Sequence, residues 1–290
     1  MSIKLGPNRY GKAETRVVRV TKSGGKHQIR DLNVGVALSG DMADVHLTGD
    51  NAAVLPTDTQ KNTVFAFAKQ HGIASPEDFG LRLARHFVDS QPTIDHARIE
   101  LEEYEWERNV VGLNSHPHSF VRSGRETRTA LVHYDGKQAW VVSGLKELVV
   151  LNSTGSEFHG FIKDKYTTLR ETRDRVLATE VNAQWRHAGT DAEWDKSYEV
   201  VKRCLLQAFA DTHSLSLQQT LYAMGERVLE AVPGIVEFKL QLPNKHHFEV
   251  DLTPFGLIND NEVFWAADRP YGLIEGTVVR DVPSAGPAWD

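Results

Sequence analysis

An α+β fold, with antiparallel sheets carrying helices on one face and the element order used twice, is what the sequence predicts. Three observations carry it. Stretches of strict alternation, apolar at every second position, mark strands with one buried face. Runs with apolar residues at four-residue steps mark amphipathic helices. The two kinds of segment come as strands, helices and strands, and then in the same order again. That grouping favours antiparallel sheets with helices on one side over alternating parallel units.

The first half opens with a strand pair at residues 14–22 and 27–40, joined by the turn Ser23-Gly24-Gly25. Leu32, Val34, Val36 and Leu38 fall on one face of the second strand. A polar loop follows, then a helix over residues 59–70. A second helix opens at Ser75-Pro76-Glu77-Asp78, where Ser75 can cap, Pro76 fits the first turn and Asp78 closes a capping box. Phe79, Leu83 and Phe87 then share one face. Strands at 97–106 and 125–133 complete this half. The second half repeats the order with strands at 138–151 and 175–185, the latter alternating through Val181, Ala183 and Trp185. Helices follow at 192–210 and 215–231, and strands at 235–242 and 247–252. No linker or low-complexity segment intervenes, and a boundary near Lys137 divides the chain into 1–136 and 137–290.

Composition narrows the function classes. The 290 residues are 40% hydrophobic and 25% charged, enough for substantial cores and unlike a disordered chain. A formal charge of −6 provides no basic stripe for nucleic acid. No apolar run approaches the roughly 18 residues of a membrane span. Cys204 is the only cysteine, which excludes an intrachain disulfide and a Cys-based zinc site; within an amphipathic helix it reads as a buried thiol. The start, MSIKLGPNRYGK, has no apolar secretory core, and the end, GPAWD, is no peroxisomal signal. A cytoplasmic location is the expectation.

The segment from Leu148 to Arg175 carries the chemistry. It sets a β-branched strand (Val149, Val150) before Phe158 and Phe161, then Tyr166-Thr167-Thr168-Leu169, then Arg175. An aromatic ring and a guanidinium in one pocket suit a flat anionic heterocycle, stacked on its face and gripped at its edge. The spacing resembles the signature of the urate oxidase (uricase) family, with one departure: Asn152 stands where a lysine is usual. Tyr10-Gly11-Lys12, the stretch from Asp50 to Gly72, Ser216 to Thr220, and Leu242 to Phe248 resemble the same family. The likeness therefore covers nearly the whole chain.

The resemblance implies two tandem tunnelling-fold (T-fold) domains. It also implies a homotetramer whose sheets join into a barrel around a tunnel, closing sheet edges that would otherwise be liabilities. The implied activity is oxidation of urate by dioxygen and water to 5-hydroxyisourate and hydrogen peroxide, with no cofactor and no metal. Read alone, Lys12 is a solvated charge, Thr57-Asp58 a helix N-cap, and Gln218 polar surface. In the family pattern Lys12, Thr57 and His246 form a proton relay. The amides at Thr57 and Asp58 meet the purine from a neighbouring subunit, as helix N-termini attract anions. Phe158 stacks on the ligand, Leu169 lines the pocket, and Arg175 grips one edge. The Leu217 backbone and the Gln218 amide read the opposite edge, and Asn244 holds dioxygen or water above the ring. Gln219 takes no role.

His116-Pro117-His118 could pass for a metal site, since His-x-His on a strand puts both rings on one face. No third ligand is evident, and Pro117 argues for a loop. His246 and His247 are adjacent, so a strand would point them to opposite faces. Two other readings stay open: a T-fold pterin or purine enzyme of different chemistry, and a purine-binding protein without turnover.

Overall fold

The structure, a computed structural model, describes residues 3–22, 24–267, 269–282 and 286–287. Ser23 of the expected first turn lies outside the described residues; the two glycines after it have φ of 73° and 75°, a conformation that glycine adopts without steric cost.

Residues 1–144, 186–195 and 284–290 form one unit. Its strands are β1 (Tyr10–Thr21), β2 (Gln28–Gly40), β3 (Ile94–Glu103), β4 (Trp106–Val111), β5 (Asn114–Arg122) and β6 (Thr127–Tyr134), with the start of β7 (Ala139–Asn152). Its helices are α1 (Ala43–Leu47), α2 (Thr57–Gln70) and α3 (Pro76–Asp89). The main sheet runs β1-β2-β3-β6-β7, with β1–β2, β2–β3 and β3–β6 antiparallel. As the alternation predicts, Leu32, Val34, Val36 and Leu38 are buried, and Phe79, Leu83 and Phe87 of α3 pack among them. Ser75 Oγ accepts from the Asp78 amide at 3.1 Å, fixing the start of α3.

Beneath that start lies a buried polar network. The Glu77 carboxylate, fully enclosed, accepts from Arg128 Nη2 and from Ser143 Oγ, both at 2.7 Å. Ser143 Oγ is also 3.0 Å from His187 Nε2. Arg128 Nη1 donates to Asp195 at 2.7 Å. Enclosing a carboxylate is tolerable because both its oxygens are met by donors and one donor is charged.

Residues 145–185 and 196–283 form the second unit. It holds the rest of β7, most of β8 (Leu177–His187), α4 (Trp194–Asp211), α5 (Leu217–Ala231), β9 (Ile235–Pro243), β10 (His246–Glu249), β11 (Phe264–Ala267) and β12 (Leu273–Val279). The order is β7-β8-β9-β12, with β10–β11 a separate antiparallel pair. Val181, Ala183 and Trp185 face a core shared with Cys204, Phe209 and Phe238, and Trp185 stacks on Phe238 at 5.8 Å. Cys204 is buried, as its place on the helix suggests.

Several expectations need correction. The strand expected at 97–106 stops at Glu103, and a new one starts at Trp106. The stretch around Pro117 is not a loop but β5, paired only with β4. In a two-stranded ribbon a proline costs no ladder bond on its open side, and its carbonyl still accepts from the His27 amide at 2.9 Å. The polar loop after β2 contains the short α1. The pairs β10–β11 and β9–β12 were not foreseen beyond residue 252, because their partners are only four to seven residues long.

Arg128→Ala would leave Glu77 buried without its charged donor. The expected loss is about 3–5 kcal/mol, read from denaturant unfolding; a loss under about 1 kcal/mol would show the network to be dispensable. Two histidines set a pH dependence. Burial, with the charges of His96, Arg98, Arg186 and Arg9, pushes His133 from the ordinary 6.5 to about 4. Burial and then Arg128 push His187 to about 4. Both are neutral when folded, while the unfolded chain protonates them from 6.5 downwards. Their contribution is therefore complete above 6.5 and lost as pH falls towards about 4. Each supplies a slope of about 1 kcal/mol per pH unit. Unfolding midpoints measured from pH 7.5 to 4 should drop accordingly, whereas a flat profile would mean the rings are charged in the fold.

Candidate active site

In the first unit, a bulge between Lys12 and Thr15 breaks the register of β1, and Glu14 takes a φ of 54° there. Lys12 is thereby half-buried at an irregular point of the strand. Gly11 before it admits no side chain, since a Cβ would fall 1.7 Å from the Val36 carbonyl oxygen. The Tyr10 hydroxyl donates to Leu55 O at 3.0 Å, tying the strand that bears Lys12 to the segment leading into α2.

Thr57 is not the cap of that helix but its first residue. Pro56 holds the cap position with extended backbone, and no side chain caps the helix. The fixed φ of proline prepares the entry, so the first amides are left uncapped. The Asp58 side chain is used within the helix, taking Asn62 at 3.0 Å and ion-pairing with Lys61. Lys61 holds the Asp58 carboxyl below its usual range, with a smaller contribution from the Lys12 charge. Any contact of Asp58 with a ligand falls to its backbone.

In the second unit, Arg175 lies just before β8. Its Nε donates to Ser156 Oγ at 3.0 Å, and its guanidinium carbon stands 5.2 Å from the Phe158 ring centroid. Phe158 is stacked on Phe161 at 5.0 Å and 16°, and its backbone pairs in both directions with Thr172. Arg175 makes no ion pair among the described residues, and burial pushes its guanidinium below the ordinary value. The adjacent Asp174 is occupied by Thr154 and Asn261.

Asn244 follows β9 and is held by its backbone, which donates to Gly272 O at 2.8 Å and bridges to Thr179. His246 starts β10. Its ring stacks on Phe248 at 5.6 Å, and burial followed by the charge of Arg175 pushes it below its ordinary pKa. His246 is therefore near Arg175 and neutral. His247, on the opposite side of the strand, turns to the Lys245 carbonyl at 2.9 Å.

Leu217 opens α5 buried, while Gln218 beside it is exposed. Gln219, which had no role in the sequence reading, fixes the helix start: its amide donates to Ser216 Oγ at 3.2 Å and its Oε1 accepts from the Leu215 amide at 2.8 Å. The Ser216-x-x-Gln219 spacing is a capping-box pattern that could have been read directly. Asn152 donates to Phe209 O near the end of α4 at 2.8 Å, satisfying a carbonyl that the helix leaves open. Leu169 is exposed on the loop between β7 and β8.

The ten candidates thus form two groups: Lys12, Thr57 and Asp58 in the first unit, and Phe158, Leu169, Arg175, Leu217, Gln218, Asn244 and His246 in the second. Two cavities, about 600 Å³ beside Phe67, Arg85 and Trp194 and about 480 Å³ beside Asn152 and His213, contain none of them. His116 and His118 share a face of β5 with ring centroids 4.6 Å apart. Among the described residues, no three His, Cys, Asp or Glu side chains gather as a metal set.

Comparison with known proteins gives this arrangement its context. The family model for uricase matches residues 8–133 and 141–275. The chain is 52% identical to the uricase of Arthrobacter globiformis over 288 residues, covering 99% of this chain and 94% of that one. It is 37% identical to the uricase of Dictyostelium discoideum, covering 94% and 96%. Its backbone matches the crystal structure of the Arthrobacter globiformis uricase with a TM-score of 0.95 at 51% identity, covering 99% and 98%. A uricase from Bacillus fastidious matches with a TM-score of 0.83 at 25% identity, covering 95% and 94%. A family match spanning both units, with a 52% identical relative covered over 94% of its length, makes this chain a member of the uricase family.

Proposed function

We propose that the chain oxidises urate with dioxygen and water to 5-hydroxyisourate and hydrogen peroxide, without a cofactor, in a site completed by a second copy of itself. The observation that carries this reading is Arg175, a half-buried guanidinium beside an aromatic face with, among the described residues, no carboxylate to neutralise it. Such a charge is costly to keep unpaired, and a planar anion relieves it.

Dioxygen is a triplet and reacts slowly with closed-shell molecules; the urate dianion is electron-rich enough to give up one electron directly. The protein then has to bind, orient and move protons. Arg175 and the Gln218 amide hold opposite edges of the ring, and Phe158 lies against its face. Asn244 holds the oxygen species above it. His246, kept neutral by burial and by Arg175, can accept a proton, which Thr57 and Lys12 pass on.

The second copy supplies the Lys12–Thr57–Asp58 group. Two features support assembly into a homotetramer. In the first unit β1 ends the sheet and exposes Val18 and Val20; in the second, β12 ends it and exposes Leu273 and Val279. Apolar edge strands of this kind call for a partner.

The test is oxygen uptake by metal-stripped protein given urate, with peroxide assayed alongside. Matching uptake and peroxide support the proposal. Urate binding without uptake would favour a purine-binding protein, and activity only on adding metal would favour a different T-fold chemistry. Arg175→Ala should raise KM about 100-fold or more, as expected when a charged bidentate partner is lost from a dry pocket; unchanged affinity would remove Arg175 from the site. Lys12→Met should lower kcat about 100-fold, the usual range for a lost proton-transfer group, with binding largely kept. Full turnover in that variant would remove Lys12 from the relay.

A further inference from the structure

Arg175 and the start of α5 are brought together by a set of hydroxyls that no catalytic role accounts for. Ser156, Ser214 and Thr220 are each buried to 1% exposure or less. Ser156 Oγ accepts from Arg175 Nε at 3.0 Å. Its backbone runs beside Ser214 as a parallel bridge, closed by the Ser214 amide on Gly155 O at 2.9 Å and the Glu157 amide on Ser214 O at 2.7 Å. Ser214 Oγ donates to the carbonyl of Ser216, the cap of α5, at 3.1 Å. Thr220, one turn into that helix, places its hydroxyl 2.8 Å from Ser214 Oγ. An unbroken path of short contacts therefore leads from the guanidinium to the residues that present Leu217 and Gln218.

We propose that Ser156, Ser214 and Thr220 are positioning residues that set the separation between the Arg175 fork and the N-terminus of α5, and so the width of the flat heterocycle the clamp accepts. This rests on the reading of Arg175 and Gln218 as the two edges of the substrate clamp. The two elements are distant in sequence and both approach the ligand from loops or helix ends, where small displacements are cheap. Hydroxyls suit the task because each both donates and accepts over a short reach, so one chain of bonds can bridge β7–β8 loop backbone to helix cap. A buried, fully connected polar path also resists partial loosening, since each broken member leaves another unsatisfied. The role is distinct from catalysis: none of the three need touch the ligand, and all act through Arg175 or through the helix start.

The decisive variant is Thr220→Val, which keeps side-chain shape and deletes the hydroxyl, with Thr220→Ser as the conservative control and Arg175→Ala as the control on the clamp itself. Thr220→Val should raise KM for urate about tenfold with kcat changed less than about twofold, as expected when binding geometry shifts by a fraction of an ångström. Thr220→Ser should return KM to within about twofold of the parent. Ser156→Ala, which frees Arg175 Nε, should move KM in the same direction. An unchanged KM in folded Thr220→Val overturns the proposal, and so does a valine effect that serine fails to rescue. If instead Arg175→Ala binds urate normally, it is the clamp reading that falls. Should Thr220→Val fail to fold, Ser156→Ala carries the same test, and an unchanged KM there is equally fatal.

Discussion

Keeping a guanidinium half-buried without a counterion is the constraint on which the candidate site depends. Folding withdraws Arg175 partly from water and returns, among the described residues, one hydrogen bond, to Ser156, and the nearby ring of Phe158. The nearest acidic residue in sequence, Asp174, is turned away by Thr154 and Asn261. A site arranged in this way has free energy to gain on meeting an anion, and a ligand flat enough to lie along Phe158 adds stacking to that gain. Burial, and after it the same charge, lowers the pKa of His246, so Arg175 also bears on the protonation of its neighbour.

The core was the most legible part of the chain. Where one face of an element is buried and the other wet, the period of the sequence records it, as Leu32 to Leu38, Val181 to Trp185 and Phe79 to Phe87 show. The Ser75 cap at the start of α3 was legible for the same local reason. What escaped was pairing between short segments. Nothing within His246 to Glu249 says that Phe264 to Ala267 will lie beside it, and in β5 the proline argued for a loop in a strand that pairs with β4. At Thr57 the preference of threonine for caps misled, because Pro56 fixes the helix entry through its ring.

The candidate site residues came from resemblance, and their supports were not legible in the sequence. A motif marks side chains that a family keeps in view of the ligand; it is silent on the hydroxyls behind them. Ser156 lies inside the segment from Leu148 to Arg175 yet gained meaning only with the Arg175 Nε beside it. Gln219 was passed over although its spacing from Ser216 carried a readable mechanical meaning. The boundary near Lys137 already separates Lys12, Thr57 and Asp58 from the other candidates, but the return of residues 186–195 to the first unit was not legible in the sequence.

The network beneath α3 bears on how the protein is made. Glu77 and Arg128 come from the early part of the chain, but Ser143, His187 and Asp195, which complete their hydrogen bonding, are translated later. Residues 186–195 belong to the first unit and not to the second. A nascent chain that has emerged only through β6 therefore holds a buried carboxylate and an arginine with part of their partners still unmade. Domains that fold as they leave the ribosome do so when their own contacts are local in sequence. Here the N-terminal unit cannot complete its buried network until residues 186–195, on the far side of β7 and most of β8, have been made.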